Sequence, residues 1–352
     1  MGYTIPSITS LLAQYPTSLA LLVLLSSILF TMPLWKSKKP AYKPEGKHCY
    51  ITGGSQGLGK ALAESLVKQG AHVTIVARDA KRGEGVVEEL KSLAKPGQII
   101  QFISADLSSP TDSDQALLAA CVPHKGLAPD YIFLCAGFSQ PKYFVENTKA
   151  EIKWGMDGVY LVSAYTAHSA ISLMVSQNRT GSLTFVSSFL GYTSFAGYST
   201  YSPAKYALRG LADALRSEML LHDIDVHIFH PCGILSPGYE KEMMTKPDVT
   251  RKIEDGDKPI TPEESVAALE SGLRKGYYQI TDNLVADFVR LRANGGVPSN
   301  NFVLDCFYLF ISSFGIPIWR MFADSIVRGG RKTIHEDYAK RGFFQGAAPV
   351  AE

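Results

Sequence analysis

Between residues 46 and 285, short β-branched apolar runs alternate with longer segments whose apolar residues recur at helical spacing. The runs predict six strands: HCYIT (48–52), HVTIVA (72–77), IIQFISA (99–105), DYIFLCA (130–136), GSLTFVSS (181–188) and DVHIFH (225–230). Each run precedes a stretch long enough for a helix, an order typical of a parallel sheet covered by helices on both faces. The pattern therefore predicts an α/β fold with a doubly wound parallel sheet that binds its ligands at the carboxyl ends of the strands.

A long apolar segment precedes this region. Residues 18–35, SLALLVLLSSILFTMPLW, carry no charge, and together with the uncharged residues before them they are long enough to span a bilayer. Lys36, Lys38 and Lys39 follow directly, and cationic flanks stay on the cytoplasmic side. We therefore expect an uncleaved N-terminal transmembrane helix with the remainder of the chain in the cytosol. The alternative is a cleaved signal peptide, but no basic residue precedes the apolar run, as such a peptide requires.

A second apolar segment, FVLDCFYLFISSFGIPIW (302–319), follows the alternating region. Asp305 interrupts it, and Gly315 and Pro317 are expected to break its helix. If it spanned the bilayer, the cations after it would lie on the lumenal side, against the orientation rule; these are Arg320, Arg328, Arg331 and Lys332. A helix or hairpin lying in the cytoplasmic leaflet fits better, and the alternative is a buried apolar subdomain.

These features divide the chain into a membrane anchor with a basic flank (1–39), a catalytic domain (46–290), a membrane-associated segment (300–328) and a polar tail (329–352). An apolar content of 46% in 352 residues suffices for one large domain or two small ones, and a net charge of +2 argues against nucleic-acid binding. The five cysteines are far apart and form no Cys-x-x-Cys pair, which argues against a disulfide framework or a zinc site.

The first strand runs into TGGSQGLG and then into the helical stretch KALAESLVKQG. Gly53, Gly57 and Gly59 lie where the chain must turn sharply and approach a phosphate, and the following helix offers free N–H groups to an anion. Their spacing meets the common G-x-G-x-x-G fingerprint only in part, and a turn without a ligand is the alternative. The strand–turn–helix context favours a Rossmann-type nucleotide site.

The end of the second strand indicates which nucleotide is bound. An NAD site requires an acid there, whereas a 2′-phosphate requires a cation. Arg78 occupies this place with Arg82 one helical turn further on, and Asp79 is predicted to cap the next helix. The sequence therefore favours NADPH as cofactor, and the alternative for Arg78 is a solvated loop cation.

Two weaker signals lie at the same edge of the predicted sheet. Asp106 and Leu107 follow the third strand, near the expected position of the adenine. Ala136 and Gly137 follow the fourth strand, and their small side chains would let a ribose lie against the backbone.

The fifth strand ends in Ser187 and Ser188, and the next predicted helix carries Tyr201 and Lys205 one turn apart. Ketone reduction requires a proton for the carbonyl oxygen, and a cation beside a phenol lowers its pKa and makes it a better acid. A serine hydroxyl could polarise the same oxygen. Adjacent strand residues face opposite ways, so only one of the two serines is expected to serve. The alternative for the tyrosine–lysine pair is the surface of an amphipathic helix.

Over about residues 46–290 the chain resembles the short-chain dehydrogenase/reductase family. The motifs that carry the resemblance are, in chain order, TGGSQGLG, CAG, the strand-end serine, YSPAK and the run PCG (231–233). The resemblance implies that Tyr201 is the general acid and that Lys205 lowers its pKa and binds ribose. It favours Ser188, thirteen residues before Tyr201, over Ser187. It also implies that NADPH is held by Gly53, Ser55, Gln56, Gly57, Arg78, Arg82 and Asp106.

The chain departs from that family in two places. Leu134 and Cys135 precede the AG of the fourth-strand motif, where the family often has asparagine. The next helix lacks the asparagine of a proton relay, and the comparison places Val159 at that position. We expect the proton to be resupplied through water and Lys205, or through Asp157.

Three features narrow the substrate: the N-terminal anchor, the second apolar segment and a loop at 234–259 where a substrate lid belongs. Together with TKPDVTRKI and DSIVR, they are similar to the branch of the family that reduces long-chain sphingoid ketones with NADPH at the endoplasmic reticulum membrane. The partners implied are a sphingoid ketone and the lipid bilayer, with the active site facing the cytosol and a homo-oligomer left open.

The side chains expected to contact the acyl chain, or alternatively to pack as ordinary core, are Phe189, Leu190, Tyr192 and Phe195. Two other functions compete with this reading. One is a membrane steroid or retinoid reductase of the same family, and the other is a catalytically silent NADPH-binding scaffold, against which the serine, tyrosine and lysine argue.

Overall fold

The computed structural model describes residues 42–343, so the predicted N-terminal anchor and the final residues of the tail lie outside the described part. Seven parallel strands form one sheet in the order β3-β2-β1-β4-β5-β6-β7. The strands are β1 (His48–Thr52), β2 (His72–Ala77), β3 (Ile100–Ser104), β4 (Tyr131–Leu134), β5 (Gly181–Val186), β6 (Ile224–His230) and β7 (Gln279–Thr281). The six predicted strands are confirmed. The seventh has three residues, too few to produce a recognisable pattern.

The helices of the described part follow the strands in the predicted alternation. They are α1 (Gly57–Lys68), α2 (Ala80–Leu93), α3 (Pro110–Cys121), α4 (Lys149–Met156), α5 (Val162–Ser176), α6 (Tyr201–Glu218), α7 (Pro237–Thr245), α8 (Asp248–Ile253), α9 (Pro262–Arg274), α10 (Leu284–Arg292), α11 (Phe302–Gly329) and α12 (Arg331–Lys340). Asp79 caps α2 as predicted, because its carboxylate accepts a hydrogen bond from the Arg82 N–H at 3.0 Å.

Apolar side chains cover both faces of the sheet, as a doubly wound fold requires. Tyr50 and Ile51 alternate across β1, and each is fully buried in a different core cluster. One cluster is covered by α3, α5 and α6, and the other by α1, α2 and α9. The strand order changes direction between β1 and β4, so their carboxyl ends open a crevice there.

The prediction that Gly315 and Pro317 break the helix of the second apolar segment is wrong, because this segment forms one helix, α11. It runs unbroken for 28 residues through Gly315 and Pro317. A proline removes one backbone hydrogen bond, and a helix of this length retains the others. Asp305 does not interrupt the helix either, because its carboxylate is buried and accepts a hydrogen bond from the Arg290 guanidinium at 2.7 Å. Part of the predicted polar tail, Arg331–Lys340, is likewise helical as α12.

One side of α11 contacts the catalytic domain along its length. Arg320 donates hydrogen bonds to the Thr193 hydroxyl and the Ser194 carbonyl at 3.0 and 2.9 Å. The Trp319 ring meets Phe195 edge to face. The opposite side is apolar and exposed, which excludes a segment buried on all sides; its members include Val303, Phe307, Phe310, Phe314, Ile318 and Met321.

Within the described residues, two helical stretches are long and apolar enough to cross a membrane by length and composition alone. The first, Lys149–Ser176, contains α4 and α5 and contributes to the core. The second, Phe302–Lys340, contains α11 and α12 and is only 11% buried over its most apolar window. The second stretch therefore has the exposed apolar surface that a membrane would cover.

Candidate active site

A cavity of about 1070 Å³ opens at the carboxyl ends of the strands. The residues predicted to bind the cofactor or to act in catalysis through the serine, tyrosine and lysine all line it: Gly53, Ser55, Gln56, Gly57, Gly59, Arg78, Arg82, Asp106, Leu107, Gly137, Ser187, Ser188, Tyr201 and Lys205. The volume lies at the upper end of ligand sites and accommodates an extended ligand. The structure therefore brings the predicted cofactor and catalytic residues together in one place.

The glycine-rich loop between β1 and α1 forms one wall of this cavity. Gly53 has a φ of +69°, and a Cβ there would lie 2.9 Å from Ala136 Cα. A Cβ on Gly59 would lie 2.4 Å from the Gly53 carbonyl oxygen, so both positions require glycine. Gln56 precedes α1 without a side-chain cap, which leaves first-turn N–H groups for an anion. The loop thus fits the phosphates of a dinucleotide.

Two arginines lie beyond the end of β2. The Arg78 side chain makes no hydrogen bond or ion pair with other residues in the described part of the chain, which leaves its guanidinium for an anion. Arg82 donates to Gln56 Oε1 at 2.6 Å and pairs with Asp79 at 3.4 Å. The Ser108 hydroxyl donates to Asp106, which lowers the pKa of that carboxyl, and the charge of Arg78 acts in the same direction. The two cations and the Asp106 carboxylate thus line the same cavity.

The structure distinguishes the two strand-end serines. The Ser187 hydroxyl is buried and donates to the Lys205 carbonyl at 3.1 Å, so it fastens α6 to the sheet. The Ser188 hydroxyl shares a hydrogen bond with Tyr201, the first residue of α6. Lys205 Nζ lies 5.5 Å from the centre of the Tyr201 ring. Ser188, Tyr201 and Lys205 therefore form one cluster.

The pKa of Tyr201 is raised in this structure, so the lowering expected from Lys205 does not appear in the net shift. Burial raises the pKa of Tyr201, the negative charge of Glu242 raises it further, and the bond to Ser188 lowers it. Burial also lowers the pKa of Lys205 to about 7, and its Nζ donates to the Val186 carbonyl at 2.8 Å. Desolvation is thus the largest cause of the pKa shift of each group. A Tyr201 that keeps its proton at neutral pH is in the state that a proton donor requires.

The two positions at which the chain departs from the family's pattern lie in different surroundings. Burial raises the pKa of Cys135 to about 12, so its thiol stays neutral. Val159, which the comparison places at the relay position, lies in the apolar core and does not line this cavity, and its correspondence to the family's asparagine stays a prediction. Asp157 does line the cavity, and its carboxylate pairs with Lys153 at 2.5 Å.

The aromatic and aliphatic residues expected around the acyl chain divide into two groups. Phe189, Leu190 and Phe195 line the cavity, whereas Tyr192 is buried in the core, stacked on His230 with ring centres 3.8 Å apart. Ile316 and Trp319 of α11 line the cavity as well. The sequence did not predict their involvement, since they follow β7 by many residues and carry no motif.

The predicted lid, residues 234–259, folds into α7 and α8 and adds a polar cluster to the cavity wall. The Tyr198 hydroxyl lies 2.7 Å from Glu242 and 2.8 Å from Glu254. Lys246 Nζ lies 3.0 Å from Glu242 and 2.6 Å from Glu254. Ser236 and Pro237 are a recognisable helix start, but no spacing in the sequence indicated that these charges meet.

Comparison with known families and structures agrees with this geometry. The short chain dehydrogenase family profile matches residues 47–246. A solved short-chain dehydrogenase/reductase from Burkholderia phymatum in complex with NAD superposes with a TM-score of 0.64 and 16% identity, covering 72% of this chain and 95% of that one. At this identity the superposition establishes the shared fold.

Two curated relatives are more similar in sequence. The 3-ketodihydrosphingosine reductase TSC10 of Cryptococcus neoformans var. neoformans serotype D is 66% identical over 332 residues, covering 94% of this chain and 99% of the relative. The 3-ketodihydrosphingosine reductase ksrA of Aspergillus fumigatus is 35% identical over 294 residues, covering 76% of this chain and 80% of the relative. The similarity therefore extends well beyond the nucleotide-binding motifs.

Proposed function

The chain belongs to the short-chain dehydrogenase/reductase family, and from that premise we propose that it uses NADPH to reduce the ketone of 3-ketodihydrosphingosine to dihydrosphingosine in sphingolipid synthesis. The observation that carries the substrate is the 66% identity, over 94% of the chain, to a relative named for that reaction. A cavity with an apolar wall and a serine–tyrosine–lysine cluster supports the same chemistry.

The catalytic roles follow from the placement of three side chains. NADPH, when bound, supplies the hydride. Tyr201 donates its phenolic proton to the ketone oxygen. Ser188 is hydrogen-bonded to that phenol before the ketone binds and would then turn its single hydroxyl proton to the same oxygen, which polarises the carbonyl. Lys205 lies near the Tyr201 ring and Gly137 and would hold the ribose of the cofactor.

The preference for NADPH rests on Arg78. We expect Arg78→Ala to raise the KM for NADPH by about 10- to 100-fold, the equivalent of a lost hydrogen bond between charged groups, and to leave the use of NADH nearly unchanged. Steady-state kinetics with both cofactors measure this. Lys81→Ala is the matched control, because Lys81 is an exposed neighbouring cation that does not line the cavity. Equal losses with both cofactors would contradict a contact with the 2′-phosphate.

Membrane association rests on the exposed side of α11. Its apolar side chains face away from the catalytic domain, while Asp305, Trp319 and Arg320 fasten the other side to it. A helix held along its length by a folded domain lies in the membrane interface more readily than across the bilayer. Together with the predicted N-terminal anchor and the lysines that follow it, this surface supports a catalytic domain on the cytosolic face of the endoplasmic reticulum membrane.

The double variant Phe310→Glu/Phe314→Glu tests this surface. We expect turnover of the long-chain ketone presented in vesicles to fall by about 10-fold or more, because two exposed aromatic side chains that would enter the membrane become charged. Reduction of a short, water-soluble amino ketone should be unchanged. Leu118→Glu/Val122→Glu is the control, since these residues are equally spaced, 57% and 73% exposed, and remote in sequence from α11. Equal losses on both substrates would argue against a membrane-binding surface.

A substrate panel separates this function from its alternatives. With NADPH and mixed micelles, 3-ketodihydrosphingosine should exceed steroid and retinoid carbonyls in kcat/KM by several orders of magnitude, because each buried methylene contributes about 0.8 kcal/mol. A better steroid or retinoid substrate would favour the other branch of the family. Cofactor binding without turnover of any carbonyl would indicate a scaffold.

A further inference from the structure

The polar cluster in the wall of the cavity carries more negative than positive charge. Glu242 and Glu254 both approach the Tyr198 hydroxyl and the Lys246 ammonium, the latter at 3.0 and 2.6 Å. Burial opposes the charge on Lys246, but the two carboxylates outweigh it and raise its pKa. Burial and the same carboxylates raise the pKa of Tyr198, so its phenol is neutral. Two carboxylates therefore share a single cation.

The two glutamates differ in how fully they are bonded. Both oxygens of Glu254 are engaged, Oε1 by Tyr198 and Oε2 by Lys246. Glu242 uses Oε1 for both of its contacts. Its Oε2 has no hydrogen-bond partner among the residues that the structure describes. Glu242 thus retains a carboxylate oxygen for another donor.

This cluster lies beside the reacting group. Tyr198 and Tyr201 have ring centres 6.1 Å apart, and Tyr198, Glu242, Lys246 and Glu254 line the same cavity as Ser188 and Tyr201. The Glu242 charge acts on the Tyr201 phenol. A cation bound to Glu242 would therefore lie close to the carbonyl that Tyr201 protonates.

The proposed substrate carries such a cation. In 3-ketodihydrosphingosine the amino group is on the carbon next to the ketone. We propose that Glu242, held in place by Tyr198 and Lys246, binds the substrate ammonium and selects amino ketones over ketones that lack the amine. This inference rests on the proposed function. A hydrogen bond from an ammonium to a carboxylate is charge-assisted, and the ammonium also supplies the positive charge that the cluster lacks.

The test compares 3-ketodihydrosphingosine with the same ketone in which hydrogen replaces the amino group, both in micelles with NADPH. Wild-type protein should prefer the amino ketone in kcat/KM. Glu242→Gln should lower kcat/KM for the amino ketone by about 10-fold or more, since a charge-assisted hydrogen bond is lost. It should not lower kcat/KM for the other ketone, because removing a charge that raises the pKa of Tyr201 does not weaken that proton donor. Melting temperature and NADPH affinity report on folding.

Two further variants separate charge from structure. Glu240→Gln removes an exposed carboxylate of the same helix outside the cavity, and both ketones should react as in wild type. Tyr198→Phe removes one of the two contacts that hold Glu242 but keeps Lys246 and both carboxylates, so the preference for the amino ketone should fall less than in Glu242→Gln.

An equal loss on both ketones in Glu242→Gln would overturn the inference, as would a wild type with no preference for the amino ketone. In both cases the proposed ketone reduction would stand. A wild type that reduces neither ketone would overturn the proposed function and this inference with it.

Discussion

Tyr201→Phe should lower turnover of the sphingoid ketone by about 100- to 10,000-fold, the range of a lost general acid, while NADPH affinity stays close to wild type. The ring and its packing persist, and only the hydroxyl that shares a hydrogen bond with Ser188 is removed. Single-turnover kinetics and NADPH fluorescence titration measure the two quantities separately.

Tyr206→Phe is the matched control for this variant. Tyr206 lies on the same helix, is 43% exposed and does not line the cavity, so its hydroxyl should be dispensable. Turnover of Tyr201→Phe within a few-fold of wild type would rule out Tyr201 as the proton donor.

Lys205→Met should lower kcat/KM for NADPH by about 10- to 100-fold, because the charge-assisted hydrogen bonds to the cofactor ribose are lost. Wild-type kcat/KM should itself decline as the pH rises. Burial lowers the pKa of Lys205 to about 7, so the free protein loses this positive charge above that pH. A pH profile between about pH 6 and pH 9 should show a limb near pH 7 in wild type and none in Lys205→Met.

The contribution of Lys205 to stability should depend on pH in the opposite direction to its contribution to kcat/KM. The folded pKa of Lys205 lies below its unfolded value of 10.5, so the unfolded chain binds more protons between about pH 7 and that value. Lys205 therefore makes the free energy of unfolding rise with pH over this range.

The pH profile of kcat/KM has its own contradicting outcome. If the decline near pH 7 persists in Lys205→Met, it arises from a group other than Lys205.

The alternation of apolar runs predicted the sheet because each strand carries its own signal. β1 and β2 begin and end at the predicted residues, and β4 and β5 are shorter than predicted only at their ends. Local composition could not reveal β7, which is a strand because it pairs with β6. The low helix propensity of Gly315 and Pro317 predicted a break, but α11 is continuous through both residues. Contacts of Asp305 and Arg320 with the catalytic domain hold the helix on either side of them.

The sequence by itself determined the parts of the site that depend on neighbours in the chain. The glycine loop follows from backbone sterics, and Tyr201 and Lys205 share a face because a helix repeats every 3.6 residues. Tertiary structure alone showed that the Ser187 hydroxyl is bonded to the Lys205 carbonyl, that Tyr192 packs in the core, and that burial shifts the pKa values of Tyr201 and Lys205. It also brought Glu242 and Trp319 to the same cavity. Burial and charge at an atom depend on what packs around it, and here that includes segments far along the chain.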